Sequence, residues 1–91
     1  MLFKVQMTVN IPFDMPADTA NAIKLEEKQY SQALQKSGKW LHIWRVVGKY
    51  ENVSIFDVQD NDELHQILSG LPLFPYMEME VTALCRHPSS I

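Results

Sequence analysis

The chain predicts an α+β domain, a four-stranded antiparallel sheet with two helices on one face. Three observations carry this prediction. Four segments alternate apolar and polar residues with the period of two that marks a strand with one buried face. Two further segments carry apolar residues at offsets of three and four, the period of an amphipathic helix. The segments follow in the order β-α-β-β-α-β, with only Gly48-Lys49 between the middle two strands.

Residues 1–10 set Met1, Phe3, Val5, Met7 and Val9 on one face, and Lys4, Gln6, Thr8 and Asn10 on the other. Pro12 and Pro16 bracket a loop, and Asp14 or Asp18 is available to cap the helix that follows. That helix spans 17–37, with an apolar stripe through Ala20, Ile23, Glu27, Tyr30 and Leu34 and a stop at Gly38. Residues 40–47 are dense in aromatic and β-branched side chains, which favours a strand. Strict alternation puts Trp40, His42, Trp44 and Val46 on one face, and Leu41, Ile43, Arg45 and Val47 on the other. The turn at Gly48-Lys49 leads into a third strand over 50–58. Asp60-Asn61-Asp62 opens a shorter helix with Leu64, Ile67, Leu68 and Leu71 on one side. The apolar connection Leu71-Pro72-Leu73-Phe74-Pro75 reaches a last strand over 76–84, and residues 85–91 form an aperiodic tail.

This is the split βαβ, or ferredoxin-like, arrangement in a single domain spanning 1–91. Helices cover one sheet face only. Both faces of the second strand are apolar, so an oligomer that buries the bare face, of the dimeric α+β barrel type, is expected.

Composition narrows the function. Ninety-one residues with 46% hydrophobic content are enough for one core. A net charge of −3 supplies no basic field for nucleic acid and no polybasic anchor for a membrane. No apolar run approaches the ~20 residues of a membrane span, and residues 1–6 lack the build of a signal peptide. The lone Cys85 allows no internal disulfide and no cysteine-based zinc site, which fits a reducing cytoplasm. His42, His65 and His87 are widely separated, so no metal is expected. No glycine-rich phosphate loop exists, so no nucleotide cofactor is expected either.

The candidates for chemistry are polar residues that interrupt apolar patterns. Glu27 occupies mid-stripe, where a carboxylate is costly unless paired, protonated or facing a pocket. A general base in a metal-free site has that look. Its structural reading is a surface carboxylate, or one paired with Lys24 or Lys28. Glu26 lies one phase step away, and the sequence leaves open which of the two is the base. Arg45, on a face with Leu41, Ile43 and Val47, has the fork of donors that grips a carboxylate, either a substrate's or that of Glu27. His42 lies between Trp40 and Trp44, a setting more typical of packing than of catalysis. Tyr50 after the turn and Tyr30 in the stripe offer phenols that either donate to a developing oxyanion or simply pack. Cys85 and His87 share the tail, with no acid positioned to orient the histidine.

Several segments are similar to bacterial muconolactone delta-isomerases. They are the opening Met1-Leu2-Phe3-Lys4-Val5-Gln6-Met7-Thr8-Val9, the strand Trp40-Leu41-His42-Ile43-Trp44-Arg45, the strand over 50–58, Leu71-Pro72-Leu73-Phe74-Pro75-Tyr76-Met77, and the tail Leu84-Cys85-Arg86-His87-Pro88-Ser89-Ser90-Ile91. The resemblance spans essentially the whole chain, and that family extends a few residues past the position of Ile91.

The resemblance implies a cofactor- and metal-independent isomerase of catechol degradation by the β-ketoadipate pathway, converting muconolactone to 3-oxoadipate enol-lactone. It also implies a large ring-like homo-oligomer, a decamer built from dimers. The reaction gives the polar residues roles. Glu27 would be the base, Arg45 the clamp on the substrate carboxylate, and Tyr50 or His42 the group that polarises the lactone carbonyl. Tyr30 and Trp44 would line the substrate site. The rival readings are a related chloromuconolactone dehalogenase and a non-catalytic ferredoxin-like binding protein, which fold class alone does not separate.

Overall fold

The computed structural model describes residues 1–91. Its elements are β1 (Leu2–Val9), α1 (Ala17–Lys36), β2 (Trp40–Arg45), β3 (Glu51–Asp57), α2 (Asn61–Ser69), a single 3₁₀ turn (Phe74–Tyr76) and β4 (Met77–Leu84). The sheet order is β2-β3-β1-β4 with every pair antiparallel, the ferredoxin-like topology. Tyr50, expected to open the third strand, lies in the turn before it.

The two helices begin and end by different means. Neither Asp14 nor Asp18 caps α1. Pro16 holds the N-cap position without a side-chain bond, and Asp18 sits in the first turn, where its charge favours the helix dipole. The C-terminus of α1 closes as a Schellman motif. Gly38 takes φ 82, its N–H donates to Gln35 O (3.2 Å), and the Lys39 N–H donates to Leu34 O (3.2 Å). Asp60, at the start expected for the second helix, caps α2: its side chain accepts from the Glu63 N–H at 2.8 Å. Glu63 in turn accepts from the Gln59 N–H (3.2 Å) and pairs with Lys39 (3.0 Å). That pair ties the start of α2 to the chain leaving α1.

Gly70 ends α2 with ordinary helical angles, φ −83 and ψ −8. A Cβ there would lie 2.6 Å from the Tyr30 hydroxyl oxygen, so the glycine answers a close approach rather than a backbone need. Tyr30 uses that proximity to donate to Ile67 O at 2.8 Å, satisfying a carbonyl at the end of α2 from the middle of α1.

The core lies between sheet and helices. Phe3, Val5 and Met7 of β1, Trp40 of β2 and Phe56 of β3 meet Leu64, Ile67 and Leu68 of α2, with Tyr30 and Leu34 of α1 packed against them. The five stripe positions of α1 are each half-buried, whereas Glu26 is exposed. One expectation fails. β2 does not alternate strictly, because Trp40 pairs with Phe56 and His42 with the adjacent Ile55, leaving Leu41 as an extra residue in a bulge. The bulge shifts the phase by one. Trp40 therefore shares the helix-covered face with Ile43 and Arg45, and it packs on Phe56 with ring centroids 4.6 Å apart. His42 and Trp44 go to the bare face.

Candidate active site

A cavity of about 210 Å³ opens between α1 and the sheet. Lys24, Glu27 and Ser31 come from the helix, Trp40, Ile43, Arg45 and Asn52 from the sheet, and Tyr50 and Leu73 from the connections, with Val9 and Met77 completing the wall. Its volume is below the roughly 300–1,000 Å³ of drug-sized sites and suits a small metabolite. A neighbouring hollow of about 260 Å³ shares Arg45, Tyr50 and Asn52. The helix supplies its three residues because offsets of three and four align 24, 27 and 31. Glu27 belongs both to this row and to the core-facing stripe, so its carboxylate sits at the seam of core and cavity.

The loop after α2 explains how that carboxylate is held. In residues 71–76 the prolines at 72 and 75 have no N–H. The amides of Leu71, Phe74 and Tyr76 donate to Leu68, Leu71 and Leu73 carbonyls. The Leu73 N–H has no carbonyl and donates to Glu27 Oε1 at 2.9 Å. A buried loop must satisfy its amides, and here a side chain from another element does it. Glu27 Oε2 has no partner in the chain. Burial pushes the Glu27 pKa up, opposed by the Leu73 N–H, which favours the charged form.

Arg45 makes no ion pair. The chain's salt bridges join the N-terminus to Asp57 and Lys39 to Glu63. The Arg45 guanidinium lies 5.2 Å from the centre of the Tyr50 ring and donates weakly to Lys49 O at 3.3 Å. Lys24 Nζ approaches the same ring at 5.8 Å. Arg45 does not pair with Glu27, and neither does Lys24 or Lys28. The cavity thus holds one carboxylate with a free oxygen, two cations and a phenol.

Three expected site residues stand elsewhere. His42 and Trp44 stack on one another on the bare sheet face, centroids 4.8 Å apart and planes 9° from parallel, because the Leu41 bulge turned them away. Tyr30 is not in the cavity wall, and its hydroxyl is committed to Ile67 O. Burial and the nearby Glu27 charge push its pKa up. The sequence reading missed Ser31, Asn52 and the Leu73 amide, and weighed Lys24 only as a partner for Glu27. Cys85 is exposed in the tail. No group of three or more His, Cys, Asp or Glu could hold a metal ion, and no helix is long and apolar enough to cross a membrane.

The family model of muconolactone delta-isomerase matches residues 1–90. The chain belongs to the muconolactone delta-isomerase family. It is 71% identical to muconolactone delta-isomerase 1 of Acinetobacter lwoffii, over all of this chain and 95% of that relative. Identity to the muconolactone delta-isomerase of Cupriavidus pinatubonensis is 62%, over all of this chain and 99% of that one. A muconolactone isomerase crystal structure superposes with a TM-score of 0.96 at 54% identity, covering all of this chain and 95% of that one. A Deinococcus radiodurans structure aligns at 0.50 with 8% identity, over all of this chain and 99% of that one, which shows the fold alone.

Proposed function

We propose that this chain isomerises muconolactone to 3-oxoadipate enol-lactone by a one-base proton shift, with Glu27 as the base. The substrate is an unsaturated lactone ring bearing an acetate arm. Glu27 Oε2 removes the proton from the ring carbon that bears the arm. The electron pair spreads through the ring double bond to the lactone carbonyl as a dienolate. The same carboxyl then returns a proton to the carbon next to that carbonyl, so the double bond moves by one position and no external oxidant or cofactor is consumed. Arg45 holds the acetate carboxylate, and Tyr50 stands near the developing oxyanion.

The observation that carries this reading is Glu27 itself. It is a half-buried acid in a cavity wall, with one oxygen fixed by the Leu73 amide, the other free, and no cation of the chain paired to it. Family membership supplies a reaction that needs such an acid. An ultraviolet assay of muconolactone conversion tests it. Glu27→Gln should lose about 10²- to 10⁴-fold in kcat, the usual worth of general-base catalysis, while Glu26→Gln stays close to wild type. Near-normal turnover by Glu27→Gln would remove the base from this mechanism.

The working form in this proposal is a cytoplasmic homo-oligomer, a decamer built from dimers. Exposed Trp44, Val81 and Leu84 support association, since a monomer would leave them in water.

A further inference from the structure

Ser54 is fully buried on the core face of β3, between Phe56 on its own strand and Val5 and Ile43 on the flanking strands. A hydroxyl there is costly, and alanine would pack without the cost of removing a polar group from water. Its one side-chain bond is to Asn52, whose Oδ1 accepts from Ser54 Oγ at 2.8 Å. Asn52 lies two residues along on the same face, opposite Arg45, and lines both the 210 Å³ cavity and the neighbouring hollow. With Oδ1 occupied, the amide is oriented, and Asn52 Nδ2 has no partner in the chain. Two N–H donors are thereby held in the sheet wall that faces Glu27 on the helix wall.

From this geometry we infer that Asn52 donates a hydrogen bond to the lactone carbonyl oxygen as charge develops on it, and that Ser54 is its positioning residue. The assignment rests on the proton-shift reading above. Asn52 is a neutral donor, so it strengthens its bond as the dienolate forms without gripping the neutral carbonyl strongly in the ground state. Arg45, by contrast, holds a carboxylate whose charge does not change during the reaction.

The test is steady-state turnover of muconolactone by wild type, Glu27→Gln, Asn52→Ala, Asn52→Asp, Ser54→Ala and the Asn52→Ala/Ser54→Ala double variant, each checked for wild-type circular dichroism. Asn52→Ala should lower kcat about 10²- to 10³-fold, the usual loss for one oxyanion donor, with KM changed little. Asn52→Asp, which replaces donors by a negative charge, should fall further. Ser54→Ala should lose up to about 10²-fold through misplacement of the amide, and should cost nothing more once Asn52 is alanine. Wild-type kcat in Asn52→Ala, a raised KM alone, or an equal Ser54→Ala loss in both backgrounds would overturn the assignment. If Ser54→Ala fails to fold, the two Asn52 variants decide. Absence of turnover by wild type, or full activity in Glu27→Gln, would instead sink the proton-shift reading, so the two failures are distinct.

Discussion

Replacing Gly70 by alanine should destabilise this protein, although its backbone argues the opposite. With φ −83 and ψ −8, any residue fits, and glycine-to-alanine at such a position ordinarily stabilises by about 0.4–1 kcal/mol through the unfolded chain. The new methyl would lie 2.6 Å from the Tyr30 hydroxyl oxygen and 3.2 Å from Gln66 O. The hydroxyl cannot yield freely, because it donates to Ile67 O at 2.8 Å. The Leu71 N–H, which would otherwise satisfy that carbonyl, donates to Leu68 O instead. Displacing Tyr30 therefore leaves a part-buried carbonyl unpaired, at about 1–3 kcal/mol. Set against the backbone gain, the net loss is roughly 0–2.6 kcal/mol, centred near 1.3 kcal/mol. At about 4–8 °C per kcal/mol for a domain of this size, a central loss near 1.3 kcal/mol lowers Tm by roughly 5–10 °C. Thermal melts at matched protein concentration measure it, and Tyr30→Phe completes a double-mutant cycle. With the hydroxyl gone, the 2.6 Å clash is removed and only the milder contacts with Gln66 O at 3.2 Å and the ring carbon Cζ at 3.4 Å remain, so Gly70→Ala should become neutral or stabilising. A Tm that rises in Gly70→Ala, or falls equally in both backgrounds, would refute the account.

Four further outcomes follow from the site and the surface. Because Glu27 as the proposed base must be ionised to act, and burial raises its pKa, kcat/KM should rise with pH through a midpoint above the ~4.3 of an ordinary glutamate; a midpoint at or below that value contradicts it. Stability runs the other way. A raised acid contributes fully below its unfolded pKa and loses that contribution as pH rises through the folded one, so Glu27→Gln should gain Tm over wild type as pH rises above the ~4.3 of an unfolded glutamate. A difference that shrinks over that rise would be inconsistent. Arg45→Ala should raise KM roughly 10- to 100-fold with kcat nearly kept, as expected for loss of a charge-assisted bond made equally throughout the reaction; a fall in kcat with KM unchanged would move Arg45 into the chemistry. Sedimentation of the purified chain should show a large assembly, and a monomer would count against the oligomer.

The element order, the covered face and the α1 stripe were legible because each depends on a local period. Side chains at 20, 23, 27, 30 and 34 share an arc in any α-helix, whatever surrounds it. β2 was misread because a strand's faces follow from counting, and a single extra residue inverts the count. Nothing in Trp40-Leu41-His42 announces a bulge. Its cause is tertiary: Trp40 must remain opposite Phe56 in the core while Ile43 and Arg45 also point inward. The same inversion removed His42 and Trp44 from the cavity and kept Arg45 in it. Asn52 and Ser54 escaped notice because they read as ordinary polar positions in a strand. Their meaning depends on which face the neighbouring strands bury.

The Leu73 amide was invisible for a deeper reason, and it changes what Glu27 is. An acid in an apolar stripe reads as a choice between a structural group and a catalytic one. In the proposed mechanism one oxygen does each job. The proline-interrupted loop leaves one backbone donor without a carbonyl, and Oε1 satisfies it, which fixes the carboxylate and draws its pKa down. Burial against the core draws the pKa up, and Oε2 stays open to the cavity. A base fully paired with Arg45 would be rigid but weak, and one left in water would be ionised but poorly aimed. Tethering to a neutral donor restrains the geometry while adding little compensating charge, and it leaves Arg45 unpaired for a substrate carboxylate. Separating tether from cation would let one small cavity keep the proposed base and carboxylate clamp without each cancelling the other.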